Sequence, residues 1–106
     1  MYIFNRTSSG NGSWYVVRVG GDFRFSQRNA DSLGGGTLKI ETADGAKREF
    51  PVSTDRTFTS NMGPTIVTLA EGEHVRITLA SATNPNVNVD AQHTTEQGDN
   101  ALVLAS

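Results

Sequence analysis

Along this 106-residue chain, apolar residues alternate with polar ones over short runs, and each run closes on a turn signal. Residues 14–19 (WYVVRV) predict a strand, and Gly20-Gly21 predicts a tight turn into a second strand over residues 22–26. There Phe23 and Phe25 share one face and Arg24 takes the other. A loop is expected over residues 27–36, ending in Gly34-Gly35-Gly36. Residues 37–42 (TLKIET) predict a strand with Leu38 and Ile40 inward. Asp44-Gly45 predicts a hairpin, because both central residues of a type I′ turn need positive φ. Its return strand is expected over residues 47–52, where Pro51 lacks a ladder donor and belongs at an edge.

The second half repeats the style. A short strand is expected over residues 57–59 around Phe58, with a break at Gly63-Pro64. Residues 65–69 (TIVTL) predict a strand that pairs, through Glu71-Gly72, with residues 74–80 (HVRITLA). Asn84-Pro85-Asn86 predicts a turn, after which Val87 and Val89 open a last core strand. The spacing implies an all-β chain: an antiparallel β-sandwich, Ig-like or jelly-roll-like, of about seven or eight strands. Its expected inward set is Trp14, Val16, Phe23, Phe25, Leu38, Ile40, Phe50, Val52, Phe58, Val67, Leu69, Val75, Ile77, Leu79, Val87 and Val89.

The two ends read differently. Residues 1–12 form a polar arm tipped by Tyr2, Ile3 and Phe4, and residues 91–106 a polar tail tipped by Leu102, Val103 and Leu104. The expected organisation is arm 1–12, sandwich 13–90 and tail 91–106. Either the tips add strands to the sheet edges, or they dock on a neighbouring subunit; the expectation adopted is that at least one packs against another chain.

Composition narrows the function classes. Hydrophobic residues make up 36% and charged residues 19%, with 11 glycines, which argues against a coiled coil or helical bundle. The chain has no cysteine, so it has no disulfide frame, thiolate nucleophile or cysteine zinc site. An isoelectric point near 5.5 argues against sequence-specific nucleic-acid binding. The apolar start MYIF is too short for a secretory leader and no run approaches a membrane span, so a soluble protein made in a cytoplasm is expected, with no membrane partner. Residues 1–56 carry a net charge of +2 and residues 57–106 a net charge of −4.

Candidate chemistry is sparse. Glu71, Glu73 and His74 could form a metal corner, but alternation puts His74 beside Arg76 at a solvated hairpin end. Asp90, His93 and Glu96 are a loose set in the tail that preorganises no site. Gly34-Gly35-Gly36 lacks the Lys-Ser/Thr ending and the following helix of a phosphate loop. No catalytic residue, cofactor or metal is therefore expected, and no enzyme. Arg18 and Arg24 would share a face if Gly20-Gly21 makes a hairpin; with Arg28 they form either a salt-bridged face or an anchoring patch for an acidic protein surface. Trp14 with Tyr15 could stack a sugar, although core burial is the better reading of Trp14.

The cadence of residues 22–90 resembles small virion proteins of tailed bacteriophages. The resemblance lies in Phe23-Arg24-Phe25-Ser26, Gly36-Thr37-Leu38-Lys39-Ile40, Asp44-Gly45, Phe50-Pro51-Val52, Thr57-Phe58-Thr59, and the run from Val67 through Gly72, Val75-Arg76, Leu79 and Ala82-Thr83. Many of those relatives carry a Trp shortly after the Asp-Gly hairpin, where this chain has Ala46-Lys47-Arg48-Glu49. The resemblance implies a capsid decoration (cement) protein on the virion surface, assembled in the bacterial host cytoplasm. Its partner would be the major capsid protein of the head shell, and it would form a homo-oligomer. The alternative it implies is an Ig-like head or tail ornament that binds host-surface carbohydrate. The expected partner-binding residues are Tyr2, Ile3, Phe4, Arg18, Arg24, Arg28, Leu102, Val103 and Leu104.

Overall fold

The computed structural model describes residues 1–32, 36–43, 52–58, 65–95 and 100–105, with side chains described outside 28–32 and 52–58. These residues form ten strands and no helix: β1 (Tyr2–Arg6), β2 (Gly10–Asn11), β3 (Tyr15–Val17), β4 (Gly21–Ser32), β5 (Thr37–Ala43), β6 (Val52–Phe58), β7 (Thr65–Leu69), β8 (His74–Ala80), β9 (Asn86–His93) and β10 (Leu102–Leu104). Two antiparallel sheets pack face to face. One has four strands in the order β1-β9-β4-β7; the other has six, β10-β3-β8-β5-β6, with β2 also paired to β8. The all-β sandwich expected from the alternation is the fold.

The core lies between the sheets. Phe23, Phe25, Val67, Leu69, Val87, Val89 and Ala91 fill it from the four-stranded sheet. Leu38, Ile40, Val75, Ile77 and Leu79 fill it from the other, where Leu38 and Ile40 lie opposite Leu79 and Ile77 in register. All eleven expected inward residues of strands β4, β5, β7, β8 and β9 are buried. Phe50, Val52 and Phe58 are expected core residues whose side chains lie outside the described residues, as does the turn at Asp44-Gly45. The flanking strands β5 and β6 do pair antiparallel.

Several expectations need correction. The strand after Gly21 does not stop at residue 26; β4 runs twelve residues to Ser32, because Gln27 and Arg28 continue the ladder with Val89 and Asn88. Residues 47–51 and 59 of the two expected strands 47–52 and 57–59 lie outside the described residues; the described part between and within them, Val52–Phe58, is one continuous strand, β6. Trp14 and Val16 are not core residues. Val17 is buried instead, opposite Leu102, so the phase of β3 is shifted by one residue. Four consecutive apolar residues, Trp14 to Val17, leave that phase open in the sequence.

The two glycine turns expected to make hairpins make crossovers. β3 belongs to the six-stranded sheet and β4 to the four-stranded one; β7 and β8 are likewise split between the sheets. The two connections lie side by side. Gly72 N donates to Val17 O at 2.8 Å, and a side chain at Gly20 would meet Glu71 N at 3.1 Å. Gly72 has φ +90° and Gly21 φ +140°, conformations that favour glycine.

The terminal arms are also corrected: both are strands of the parent sheets. β1 pairs with β9, Phe4 opposite Val89, and Ile3 and Phe4 are buried in the core. β10 pairs with β3 and buries Ala101 and Leu102. The Met1 amino group lies 2.6 Å from Asp90 Oδ1, and Ala91 N donates to Met1 O. A tip with so much apolar surface is satisfied by its own core, so neither is left as a free arm.

Candidate functional site

Because Phe23 and Phe25 point into the core, the alternate residues of β4 line the outer face of the four-stranded sheet. The register builds this face in rows. Gln92, Arg24 and Ile66 lie side by side across β9, β4 and β7. On one side come Asp22 and Thr68, where Thr68 Oγ1 donates to Asp22 Oδ1 at 2.6 Å. On the other, Tyr2 and Ser26 flank Asp90. Ile66 is 52% exposed and Tyr2 51%, so two large apolar side chains stand on this face. Arg24, Ile66, Gln92, His93 and Thr94 line a shallow hollow of about 370 Å³. Arg24 is exposed and makes no hydrogen bond or ion pair among the described residues, although its guanidinium is a planar array of donors.

His93 fixes one wall of the hollow. Its Nδ1 accepts from Thr95 N at 3.1 Å, so the ring proton sits on Nε2, which donates to Gly20 O at 2.9 Å. The ring meets Phe23 edge-on at 5.0 Å. The side chain thus ties the end of β9 to the first crossover.

A second cluster occupies the outer face of the six-stranded sheet. Trp14 sits in the break between β2 and β3. The Arg76 guanidinium lies over its ring at 4.5 Å and donates from Nε to Glu41 at 2.9 Å. His74 meets Trp14 edge-on at 6.5 Å; the imidazole is buried, and its Nδ1 has no hydrogen-bond partner among the described residues. The solvated hairpin end expected for His74 is therefore a covered one. This arrangement also bears on sugar stacking: one face of the Trp14 ring is occupied by Arg76. Tyr15, opposite Val75, packs against the core on the other side of the sheet, so the two rings form no shared platform.

The expected partner-binding residues are scattered. Tyr2 and Arg24 reach the outer face of the four-stranded sheet. Ile3, Phe4 and Leu102 are buried in the core and cannot dock on another chain. Arg18 is exposed just after β3, a strand of the other sheet, so it shares no face with Arg24. Arg28 lies opposite Asn88 in register, and its side chain is outside the description. Val103 is half-buried and Leu104 is 61% exposed, both on the β10 edge. The sequence reading passed over Ile66, Gln92 and Thr94. Ile66 carried a signal: it is the apolar residue in the polar phase of TIVTL.

Among the described residues, no group of three His, Asp or Glu side chains is placed to hold a metal ion. Among the same residues, no helix is long and apolar enough to cross a membrane. Comparison of the chain with protein-family models, with curated proteins and with solved structures gives no match.

Proposed function

We propose that this chain is a non-catalytic structural protein of a bacteriophage particle, a decoration protein that docks on the major capsid protein of the assembled head and stabilises the shell. The observation that carries this reading is the outer face of the four-stranded sheet, where exposed Ile66 and Tyr2 stand on either side of unpaired Arg24. Large apolar side chains around an Arg are the composition of a protein-docking patch. The choice of a phage shell as the surface it meets rests on the cadence of residues 22–90, which resembles that of small phage virion proteins. A protein that binds the assembled lattice and not free subunits stabilises the lattice by mass action. Many weak copies on one shell suffice, since each capsid site adds its own increment.

The carbohydrate-binding alternative is less favoured, because Arg76 occupies a face of Trp14. The test is binding to purified heads. Wild-type protein is expected to co-sediment at hundreds of copies per head and to raise the temperature at which heads release DNA. Ile66→Asp and Arg24→Glu should each lower occupancy at least tenfold while leaving the protein's own melt unchanged. A handful of copies per particle, located on the tail, or full occupancy by both variants, would overturn the reading.

A further inference from the structure

Among the described strands, β7 is an edge of the four-stranded sheet. Thr65–Leu69 pairs with β4 alone among the described strands. It contains no charge, no proline and no glycine, and four of its five residues are β-branched. The devices that normally blunt an edge are found elsewhere in this molecule. β1, the opposite edge, carries Arg6 and a register shift between Tyr2 and Phe4. β10, an edge of the second sheet, is only three residues long. β7 has neither device, and its core residues Val67 and Leu69 hold it extended.

Beside this edge lie Ile66 and the hollow over Arg24. We infer that β7 receives an extended segment of a partner polypeptide, which pairs with it through the backbone and sets a carboxylate side chain over Arg24. The inference rests on the reading that this face docks on another protein. Adjacent strands are about 4.8 Å apart, so a residue opposite Ile66 lies about 10 Å from Arg24 across the face. A glutamate and an arginine together span that distance. Ile66 offers apolar contact to the carbon stem of such a side chain, and Gln92 and Thr94 add polar groups within the hollow.

A second copy of this chain fits the edge poorly. Five residues give about 17 Å of edge, and a seam of that length about 10 Å deep covers on the order of 170 Å² per copy, far short of the roughly 800 Å² per partner of a stable dimer. Self-pairing would also bring no carboxylate to Arg24 across the seam, since β7 has none. An extended segment has no such area requirement, because it continues beyond the edge over the hollow.

The test uses the full chain, labelled with nitrogen-15, and three blocked peptides. One has the sequence Thr-Val-Glu-Val-Thr-Val-Thr, one carries Gln in place of Glu, and one is the Glu peptide N-methylated at alternate amides. The Glu peptide is expected to slow amide exchange at alternate residues of Thr65–Leu69, with N-methylation weakening binding at least tenfold. Arg24→Gln should weaken the Glu peptide about tenfold and leave the Gln peptide unchanged. The inference fails if no peptide alters the β7 amides at millimolar concentration, or if the methylated and unmethylated peptides bind equally. It also fails if Glu and Gln bind alike, or if β7 is already protected in a concentration-dependent dimer. Should any of these occur while Ile66→Asp still abolishes head binding, the docking face stands and the edge pairing falls.

Discussion

Gln27 shows how far single residues obey the alternation. It follows Phe23 and Phe25 in the inward phase of β4 and lies opposite Val89, yet it is an amide, and both its Oε1 and Nε2 are buried without a partner among the described residues. A buried polar group left unpaired costs about 1–3 kcal/mol. Methionine has nearly the same length and no such requirement. Gln27→Met is therefore expected to raise stability by about 1–2 kcal/mol in urea or thermal unfolding; a lower midpoint would show that the amide has a role the fold depends on. The polar letter at this position is also why the sequence suggested a loop from residue 27. Chemistry at single positions was less legible than fold. The exposed side of β7 could be read from TIVTL, since Val67 and Leu69 claim the core and leave Ile66 outside. The Trp14–Arg76–Glu41 stack could not, because it joins residues from three separate parts of the chain.

At the scale of elements, strands were legible; of their partners, β5 with β6 was, and those across Gly20-Gly21 and Glu71-Gly72 were not. Alternation fixes which side chains face the core, and it did so for β4, β5, β7, β8 and β9. A tight glycine turn says only that the chain reverses; it does not say whether the next strand stays in the sheet. Gly20-Gly21 and Glu71-Gly72 both carry the chain across the sandwich. The deciding contacts are remote in sequence: His93 Nε2 on Gly20 O, and Gly72 N on Val17 O. A methyl group on Gly21 would stand 2.7 Å from His93 Nε2, on a backbone with φ +140°. Gly21→Ala is thus expected to destabilise by about 1–3 kcal/mol. His93→Ala should lower stability on its own, and the double variant should cost less than the sum of the two, because the clash disappears with the ring. Strictly additive unfolding energies would show that the ring and the turn are uncoupled.

For the whole molecule, the terminal strands decide whether the sandwich closes. A domain of this size has a net stability of about 5–15 kcal/mol. β1 contributes Ile3 and Phe4 to the core and covers the edge of β9. Truncating such residues to alanine costs about 2–5 kcal/mol each, and removing the strand also exposes the β9 ladder. β10 covers β3 and buries Leu102 against Val17. Losing either strand therefore removes a large share of the total stability. Deletion of residues 1–6 or of 102–106 is expected to abolish the cooperative thermal transition, or to lower its midpoint by more than 15 °C. A chain whose ends were docking arms would behave oppositely, melting as before and failing only to bind. Differential scanning calorimetry on the two truncations separates these outcomes: unchanged transitions would return the ends to the role of arms, whereas lost transitions leave the outer face of the four-stranded sheet, with its β7 edge, as the surface available for docking.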